Sequence, residues 1–532
     1  MLVRSVRPTL RMRQLTARDA GFLYSDSPHA NGNITFIQVY DQRSAPGGKV
    51  RFKSILAHIE GRLHRSPLFR SKLARVPLEL DFPYWIDDDQ FDLEYHVRHI
   101  ALPAPGDWRQ FCIQASRIHA RALDLQRPLW EIYVIEGLDS ITDLPRGSFA
   151  VLTKIHHAAI DVERRQEIIE VLHDHEALAP RPEPVVPWFP AHAPSPTVLM
   201  CRGALNALTS PTRWLAPLQR MAPSALTFAG DVLRPENHPE AVRFNAVVTP
   251  HRVFDTRRFA LEECRRIATL VPGSDVNDVV LAACAGGLAR YLDRHGELPQ
   301  VPLSAVAPLA VRDADTTPRT DGGPHWQRVD LLAQHQDPVA RLRAIHEQTT
   351  SGEARVRAEA ESRQLDLGRQ LGAATQRLAR RLLARVPGSG LHGQSFAACT
   401  LTNVPAPKGP VYLCGARMSY FSAILPIADG MGLVLAVTVH EGLVIVSPTS
   451  CRELMPDPQA FTQQVRDSFQ ELLALADAGA QPKAGKPAAL RPGRPRASAS
   501  ARPSPPARKD RKASSGPRVA TGARRRSTAP SG

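Results

Sequence analysis

The stretch Lys154-Ile155-His156-His157-Ala158-Ala159-Ile160-Asp161-Val162 places two histidines and an aspartate directly after an apolar run, residues 147–153, that is typical of a buried strand. The apolar residues that follow recur at helical spacing, which predicts a helix from Glu163 to Leu178. Catalytic side chains are common where a strand breaks into a loop, because the strand holds the backbone while the loop opens to a pocket. Successive strand side chains point to opposite faces, so we expect one histidine to be catalytic and the other structural.

Composition narrows the class of protein. The length of 532 residues indicates two domains with appendages, and a 43% share of apolar residues is enough for substantial cores. The net charge of +15 is concentrated at one end, since residues 481–532 hold 14 Lys or Arg and one Asp. The remaining body is close to neutral, so nucleic acid is an unlikely partner for it.

Cysteine usage and hydropathy indicate the compartment. Seven cysteines are scattered without a Cys-x-x-Cys pair, which is typical of a reduced cytoplasmic protein without structural zinc. The sequence contains no run of 18 apolar residues, so we expect no membrane-spanning helix.

The distribution of strand patterns, helix patterns and prolines predicts four segments. Residues 14–178 form a predicted α/β domain that carries the histidine stretch, and residues 248–478 form a second α/β domain. The Pro-rich segment 179–247 predicts a linker, with a helix from Thr197 to Arg220 that either lies on a membrane or packs on the body as a crossover. Residues 479–532 cannot bury enough apolar surface to fold, and their charge suits an anionic membrane better than nucleic acid, or no partner at all.

The second domain yields three specific predictions of element bounds. The run from Val276 to Leu292 is typical of a long, largely buried helix with Asn277 or Asp278 near its N-terminal cap. The run from Val411 to Ile427 is a strand candidate, and Leu454 to Leu475 is predicted to close the domain as a helix.

Several reactions use histidine and aspartate, and the residue spacing separates them. The chain lacks the Gly-x-Ser-x-Gly nucleophile elbow of a Ser-His-Asp hydrolase. Adjacent strand histidines do not have the i, i+4 spacing of a helical metal site. One histidine acting as general base remains, because a neutral imidazole removes a proton from a hydroxyl, amine or thiol that attacks an acyl group. Asp161 has two roles open, either to cap the following helix or to hold the loop through a buried ion pair.

The pattern His-His-x-x-x-Asp resembles the motif of the CoA- and carrier-dependent acyltransferases. Within that superfamily, the chain resembles the bacterial wax ester synthase/diacylglycerol acyltransferase family over most of residues 14–475. Five further segments carry the resemblance in family order: Leu15 to Leu23, Pro128-Leu129-Trp130-Glu131, Asn277-Asp278-Val279-Val280, Thr402-Asn403-Val404-Pro405 and Asp429-Gly430.

The resemblance implies an α/β fold of two chloramphenicol-acetyltransferase-like domains with an active-site channel between them. It implies transfer of a long acyl chain from acyl-CoA to diacylglycerol or a fatty alcohol, without a cofactor, a metal or an acyl-enzyme. It also implies peripheral association with a membrane or with lipid droplets.

The same resemblance assigns roles to individual residues. His157 would be the general base, His156 would support the loop, and Asn277 or backbone N–H groups would stabilise the oxyanion. Trp130 would pack in the channel wall. In related condensation domains the motif aspartate pairs with an arginine, and residues 67–73 resemble the arginine-bearing segment, so an Arg70–Asp161 ion pair is expected.

Val162 departs from the family motif, which has glycine after the aspartate. Glycine adopts a positive φ freely, whereas a β-branched valine resists it, so either the turn differs here or activity is reduced or lost. Two alternatives therefore stay open: a catalytically degenerate paralogue that binds lipid or acyl-CoA or serves as a lipid-droplet scaffold, and a carrier-protein-dependent acyltransferase. The sequence carries no signal for the oligomeric state.

Overall fold

The computed structural model of the chain describes residues 12–160, 167–177, 186–209, 242–300, 303–308, 326–332, 337–351 and 397–480. These residues belong to one compact unit, Met1–Gln481. Asp161, Val162 and the basic tail from residue 481 lie outside the described residues.

The described chain contains both strands and helices along its length, which makes this a mixed α/β fold. The strands are β1 (Arg13–Gln14), β2 (Asn33–Asp41), β3 (Ser71–Ala74), β4 (Tyr84–Asp87), β5 (Val97–Ala101), β6 (Trp130–Glu136), β7 (Phe149–His156), β8 (Arg252–Phe254), β9 (Arg257–Ala260), β10 (Ser304–Pro308), β11 (Trp326–Asp330), β12 (Cys399–Asn403), β13 (Tyr412–Leu413), β14 (Ala416–Ile424), β15 (Val434–His440) and β16 (Leu443–Cys451). The helices are α1 (Ala17–Ser25), α2 (Phe52–Arg62), α3 (Leu93–His96), α4 (Trp108–Ala120), α5 (Glu167–Leu172), α6 (Pro196–Thr209), α7 (Leu261–Ala268), α8 (Val276–Arg294), α9 (Pro338–Thr350) and α10 (Pro458–Ala480).

The strands form two large sheets and one small one. The first large sheet has the order β13-β14-β2-β7-β6-β5. The second has the order β11-β10-β12-β15-β16-β8, with β9 also paired to β16, and the small sheet has the order β1-β4-β3.

The strand that leads to the histidines lies inside the first sheet. All eight residues of β7 are buried, and the strand runs antiparallel to both β2 and β6. Its one charged side chain, Lys154, has its Nζ 3.4 Å from Oε2 of Glu131 on β6. Burial lowers the pKa of Lys154 to about 8, and Glu131 opposes that shift. The paired carboxylate therefore makes a lysine tolerable in this buried strand.

One strand of the first sheet comes from the C-terminal part of the chain. β14 pairs antiparallel with β2, in a register that sets Ile424 opposite Thr35. Residues 425–431, which follow β14, are thereby placed beside the end of β7. The domain bounds 14–178 and 248–478 stay a prediction, since β14 belongs to the second segment but completes the sheet of the first.

Helices α8 and α10 approach each other closely over glycine. A Cβ atom on Gly287 would lie 2.7 Å from the Cα of Val465, a distance that real Cβ atoms do not adopt. Glycine is therefore required here for the close approach of the two helices rather than for a turn.

The predicted start of α8 is confirmed, since the helix begins at Val276 and Asp278 completes a capping box with the cap residue Asp275. Three other predicted element bounds were wrong. The helix predicted to reach Leu178 ends at Leu172, because the backbone of Asp174 pairs instead with Tyr412. The strand predicted from Val411 to Ile427 is broken by Cys414 and Gly415, which both have positive φ. The last helix, predicted from Leu454 to Leu475, runs over Pro458–Ala480.

The linker helix α6 packs on the body. Leu199 is buried among Val76, Tyr84 and Ile86, and Asn206 Nδ2 donates to Asp81 Oδ2 at 2.8 Å. These contacts favour the crossover interpretation of the segment, which extends beyond the described residues at its C-terminal end. Among the helices of the described ranges, none combines the length and apolar character that crossing a bilayer requires.

His173 gives stability a defined pH dependence. Its ring is buried between the Tyr40 hydroxyl and the Ile169 carbonyl, and burial lowers the pKa of His173 to about 4. In the unfolded chain the imidazole of His173 takes up a proton near pH 6.5, whereas in the folded chain it stays neutral down to about pH 4. The stability that the neutral buried ring contributes is therefore present at neutral pH and is lost as pH falls from 6.5 toward 4. We expect the difference in unfolding free energy between wild type and His173→Gln to shrink by about 2 kcal/mol between pH 8 and pH 5.

Urea unfolding at the two pH values measures this difference. His251→Gln is the control, because the side chain of His251 is 68% exposed. A wild-type-to-variant difference that stays constant or grows as pH falls would contradict burial of a neutral His173.

Candidate active site

Both ring nitrogens of His156 are engaged, which fixes its protonation and orientation. The Ala158 N–H donates to Nδ1 at 3.1 Å, so Nδ1 is the unprotonated nitrogen of a neutral ring. The proton then lies on Nε2, which is 3.0 Å from Oδ2 of Asp26. His156 thus caps the short 3-10 turn His157–Ala159 and ties it to the N-terminal part of the chain.

Asp26 connects the end of α1 to the histidine loop. Its Oδ1 accepts a hydrogen bond from the Gly32 N–H at 2.8 Å, while Oδ2 receives the proton of His156. The Gly32 carbonyl in turn accepts from the His157 N–H at 2.7 Å. A Cβ on Gly32 would lie 3.2 Å from His156 Nε2, so glycine leaves room for the imidazole.

His157 faces the other way. Its half-buried ring stacks on Phe22 of α1, with centroids 3.6 Å apart and an interplanar angle of 21°. The ring lines a cavity of about 270 Å³, whereas His156 is absent from the lining residues. The side chains of the two adjacent histidines therefore lie in different environments, as the alternation of strand side chains predicts.

The cavity that contains His157 is mostly apolar and draws on both large sheets. β2 and α5 contribute apolar side chains on one side, and β12, β15 and the segment after β14 contribute the other. The lining residues are Ile34, Phe36, His157, Ile160, Ile169, Thr400, Thr402, Asn403, Val404, Pro405, Leu425, Pro426, Ala428, Met431 and Val434. Such a cavity suits a hydrocarbon chain with one polar, reactive end near the imidazole.

Asn277 and Asn403 meet at the rim of this cavity. Asn403 Nδ2 lies 3.4 Å from Asn277 Oδ1, and Asn403, not Asn277, is a lining residue. Asp278, the neighbour of Asn277, is buried and accepts hydrogen bonds at 2.8 Å from His346 and from Thr349 of α9. Asp278 therefore connects two helices.

Asp429 and Gly430 hold the loop after β14. Asp429 accepts from the Val248 N–H at 3.0 Å and lies 3.1 Å from His29 Nε2. Gly430 has φ +79°, which favours glycine, and its N–H donates to the Ala246 carbonyl. The contacts of this pair position Ala428 and Met431 in the cavity wall.

The Pro128-Leu129-Trp130 segment contacts the end of the strand that carries the histidines. The Leu129 carbonyl accepts the His156 N–H at 3.0 Å. Trp130 is 1% exposed, donates from Nε1 to the Phe69 carbonyl at 3.1 Å and stacks on His96. Neither Pro128 nor Trp130 lines the His157 cavity, so the structure places them in packing around it.

Arg70 lies at the edge of the linker. Its guanidinium carbon is 4.9 Å from the Trp188 ring centroid, a cation–π distance, and burial lowers the pKa of Arg70. The expected partner, Asp161, lies outside the described residues, so the ion pair between the two stays a prediction.

Sequence reasoning missed Asp26, Gly32 and Phe22. All three lie in the segment that resembles the family opening or just after it, yet no local pattern assigns them to the histidine loop, since more than 120 residues separate Asp26 from His156. Only the pairing of β2 with β7 brings them together.

The amino-acid sequence of this chain is similar to proteins of a known family. Residues 15–280 match the model of the wax ester synthase/diacylglycerol acyltransferase catalytic domain, and residues 328–473 match the model of the C-terminal domain of that family. A Mycobacterium tuberculosis (strain H37Rv) protein with the provisional name diacylglycerol O-acyltransferase is 30% identical over 475 residues, which cover 88% of this chain and 91% of that protein. A second protein of the same strain and provisional name is 30% identical over 483 residues, 89% of this chain and 99% of its own.

A solved structure supports the fold. The wax ester synthase/diacylglycerol acyltransferase from Marinobacter aquaeolei VT8 superposes with a TM-score of 0.63 at 22% identity, covering 87% of this chain and all of that one. Both family models and full-length relatives agree with the resemblance drawn from the sequence motifs. This chain belongs to the wax ester synthase/diacylglycerol acyltransferase family of acyltransferases.

Proposed function

We propose that the chain transfers a long-chain acyl group from acyl-CoA to the hydroxyl of diacylglycerol or of a fatty alcohol, with His157 as general base. The observation that carries this proposal is the position of His157 in an apolar cavity beside its neighbour His156, which is held in another direction by Asp26. The mycobacterial relatives, named for diacylglycerol, favour diacylglycerol as acceptor.

In the proposed reaction, the imidazole of His157 removes the proton of the acceptor hydroxyl as the oxygen attacks the thioester carbonyl. The new C–O bond forms a tetrahedral intermediate with a negative oxygen. The C–S bond then breaks, and the imidazolium returns the proton to the departing CoA thiolate. Because the acceptor attacks the thioester directly, the step needs no acyl-enzyme, no metal and no cofactor besides acyl-CoA as co-substrate.

The negative oxygen of the intermediate needs hydrogen-bond donors. The side-chain amide of Asn403 is better placed for this than that of Asn277, since Asn403 lines the cavity and Asn277 lies behind it. One such donor is worth about 3 kcal/mol of transition-state stabilisation.

We also propose peripheral association with an anionic membrane or lipid-droplet surface. The basic tail from residue 481 supplies the charge, and α6 presents Met200 and Leu205, which are 40% and 59% exposed. Truncation after Ala480 is expected to weaken co-sedimentation with phosphatidylglycerol vesicles at low salt while leaving acyl transfer to a dispersed acceptor intact. Unchanged sedimentation of the truncated protein would rule out the tail as the membrane contact.

His157→Ala tests the general base. With radiolabelled palmitoyl-CoA and either hexadecanol or dioleoylglycerol, we expect the variant to lose about 10²- to 10⁴-fold in product formation, which is the range that general-base catalysis supplies. His251→Ala, at an exposed histidine, is the matched control and should keep wild-type rates.

Two results would contradict the proposal. Near-normal turnover in His157→Ala would remove the assigned base. A wild-type protein that binds palmitoyl-CoA but forms neither ester would favour a lipid-binding paralogue instead.

Asp26→Asn tests positioning. The amide has one acceptor oxygen where the carboxylate has two, so it cannot accept from both the Gly32 N–H and the His156 Nε2–H. The loop that carries His157 should therefore shift, and we expect kcat to fall about 10- to 100-fold with KM for palmitoyl-CoA unchanged. Asp143→Asn is the control, because its carboxylate is 68% exposed in a surface pair with Arg258. Equal losses in kcat for both variants, or a change confined to KM, would refute a positioning role for Asp26.

A further inference from the structure

A second cavity, which we call the arginine cleft, shares no lining residue with the His157 cavity. It has a volume of about 650 Å³ and lies between α4, β8 and the start of α10. Its charged lining residues are Arg109, Arg117, Arg252, Arg452, Asp255 and Asp457.

The two carboxylates of the arginine cleft are used within the fold. Asp255 is 1% exposed and accepts from Trp108 Nε1 at 3.0 Å and from the Thr462 hydroxyl. Asp457 accepts from the Ala460 N–H at 3.1 Å and thereby caps the start of α10. Neither carboxylate forms an ion pair with a cleft arginine within the part of the chain that the structure describes.

Arg252 is the deepest of the four arginines. It is 7% exposed, and its guanidinium donates to the carbonyls of Thr249 and of His29, the latter at 2.7 Å. Across the described ranges, no carboxylate lies within ion-pair distance of this group. Asp429 and Glu453 act on this charge only at longer range, and burial still lowers the pKa of Arg252. An anionic ligand in the cleft would compensate the buried charge further.

Ser116 adds an unused hydrogen-bonding group to the same wall. It lies on α4, is 3% exposed and lines the arginine cleft. Its Oγ has no hydrogen-bond partner among the described residues. A ligand atom in the cleft would complete the hydrogen bonding of this hydroxyl.

A short chain of contacts connects the arginine cleft to the histidines. Arg252 donates to the carbonyl of His29, and the ring of His29 lies 3.1 Å from Asp429, the neighbour of cavity residue Ala428. On the other side, Asn31 donates to the Ala120 carbonyl at the end of α4. Because Asn31 precedes Gly32, whose carbonyl accepts from the His157 N–H, these contacts link the walls of the cleft to the histidine loop.

We propose that the arginine cleft binds the phosphate groups at the nucleotide end of the acyl-CoA donor. The inference rests on the proposed function, because it takes acyl-CoA as the donor. Acyl-CoA joins a multiply charged phosphorylated nucleotide to an apolar chain, and the protein offers one basic and one apolar cavity. Guanidinium groups suit phosphate because they donate paired hydrogen bonds in a planar fork.

The charge of the arginine cleft is tested with Arg117→Gln/Arg452→Gln. Both side chains are exposed, so the substitutions should leave the fold intact. Titration calorimetry with CoA is expected to show a Kd about tenfold higher than that of wild type, the effect of losing one charge-assisted hydrogen bond. KM for palmitoyl-CoA should rise by the same factor, with KM for the acceptor unchanged.

The matched control is Arg75→Gln/Arg265→Gln, which removes the same charge at positions 52% and 61% exposed outside the cleft. It should bind CoA as wild type does. Equal weakening in both double variants would show a general charge effect and overturn the assignment.

Ser116→Ala separates a ligand role from a structural one. Removing an unpaired buried hydroxyl should leave Tm unchanged or raise it, since no protein hydrogen bond recorded for the described residues is lost. If the hydroxyl serves a phosphate, the Kd for CoA rises severalfold in spite of the retained stability. A Ser116→Ala protein with unchanged CoA affinity would argue against the site.

Lipid headgroups are another source of phosphate, so both variants are also tested on phosphatidylglycerol vesicles. Loss of vesicle binding with normal CoA binding would overturn the nucleotide assignment. If wild type and every cleft variant bind CoA with the same affinity, the cleft is not the CoA site, and the proposed function still stands. A wild-type protein that binds no CoA would overturn both.

Discussion

The hydrogen bond from His156 to Asp26 is the constraint on which the arrangement of the site depends. With one ring nitrogen bonded to a carboxylate and the other to the turn that follows, His156 can neither rotate nor change tautomer without breaking a contact. The backbone beyond it is therefore held in a short 3-10 turn, and the next side chain, His157, points into the apolar cavity. The contacts of His156 thus set the direction of the side chain that follows it.

The second requirement is that the two halves of the chain share a sheet. β14 pairs along β2 for most of its length, so the loop after β14 reaches the end of β7. This pairing brings together the two walls of the cavity. The first half of the chain supplies Ile34, Phe36 and Ile169, and the second half supplies Thr402 and Met431. Asp429 then secures the loop by contacts to residues 29 and 248. A cavity built in this way is bounded by residues of both large sheets.

Two cavities of different chemistry matter for an enzyme that joins unlike substrates. One is apolar around His157, and the other carries four arginines, among them the buried Arg252. The proposed donor, which has a charged nucleotide and a fatty chain, matches this division, because neither end needs to be desolvated in an unfavourable environment. Lys154 and Glu131, buried within the sheet between β6 and β7, show that the fold tolerates interior charge where a partner is supplied.

The sequence by itself determined the family, the strand that carries the histidines and the opposite orientation of His156 and His157. These follow from local periodicity and from residue types at short spacing, which depend little on the rest of the fold. It did not determine the end of α5, where Asp174 pairs with Tyr412. The contact of Asp26 with His156, the contact of Asn403 with Asn277 and the arginine cleft were likewise not predicted from the sequence. Each of them acts through a partner more than 100 residues away, and the pairing of β2 with β7 and β14, which brings such partners together, is decided only by the tertiary structure.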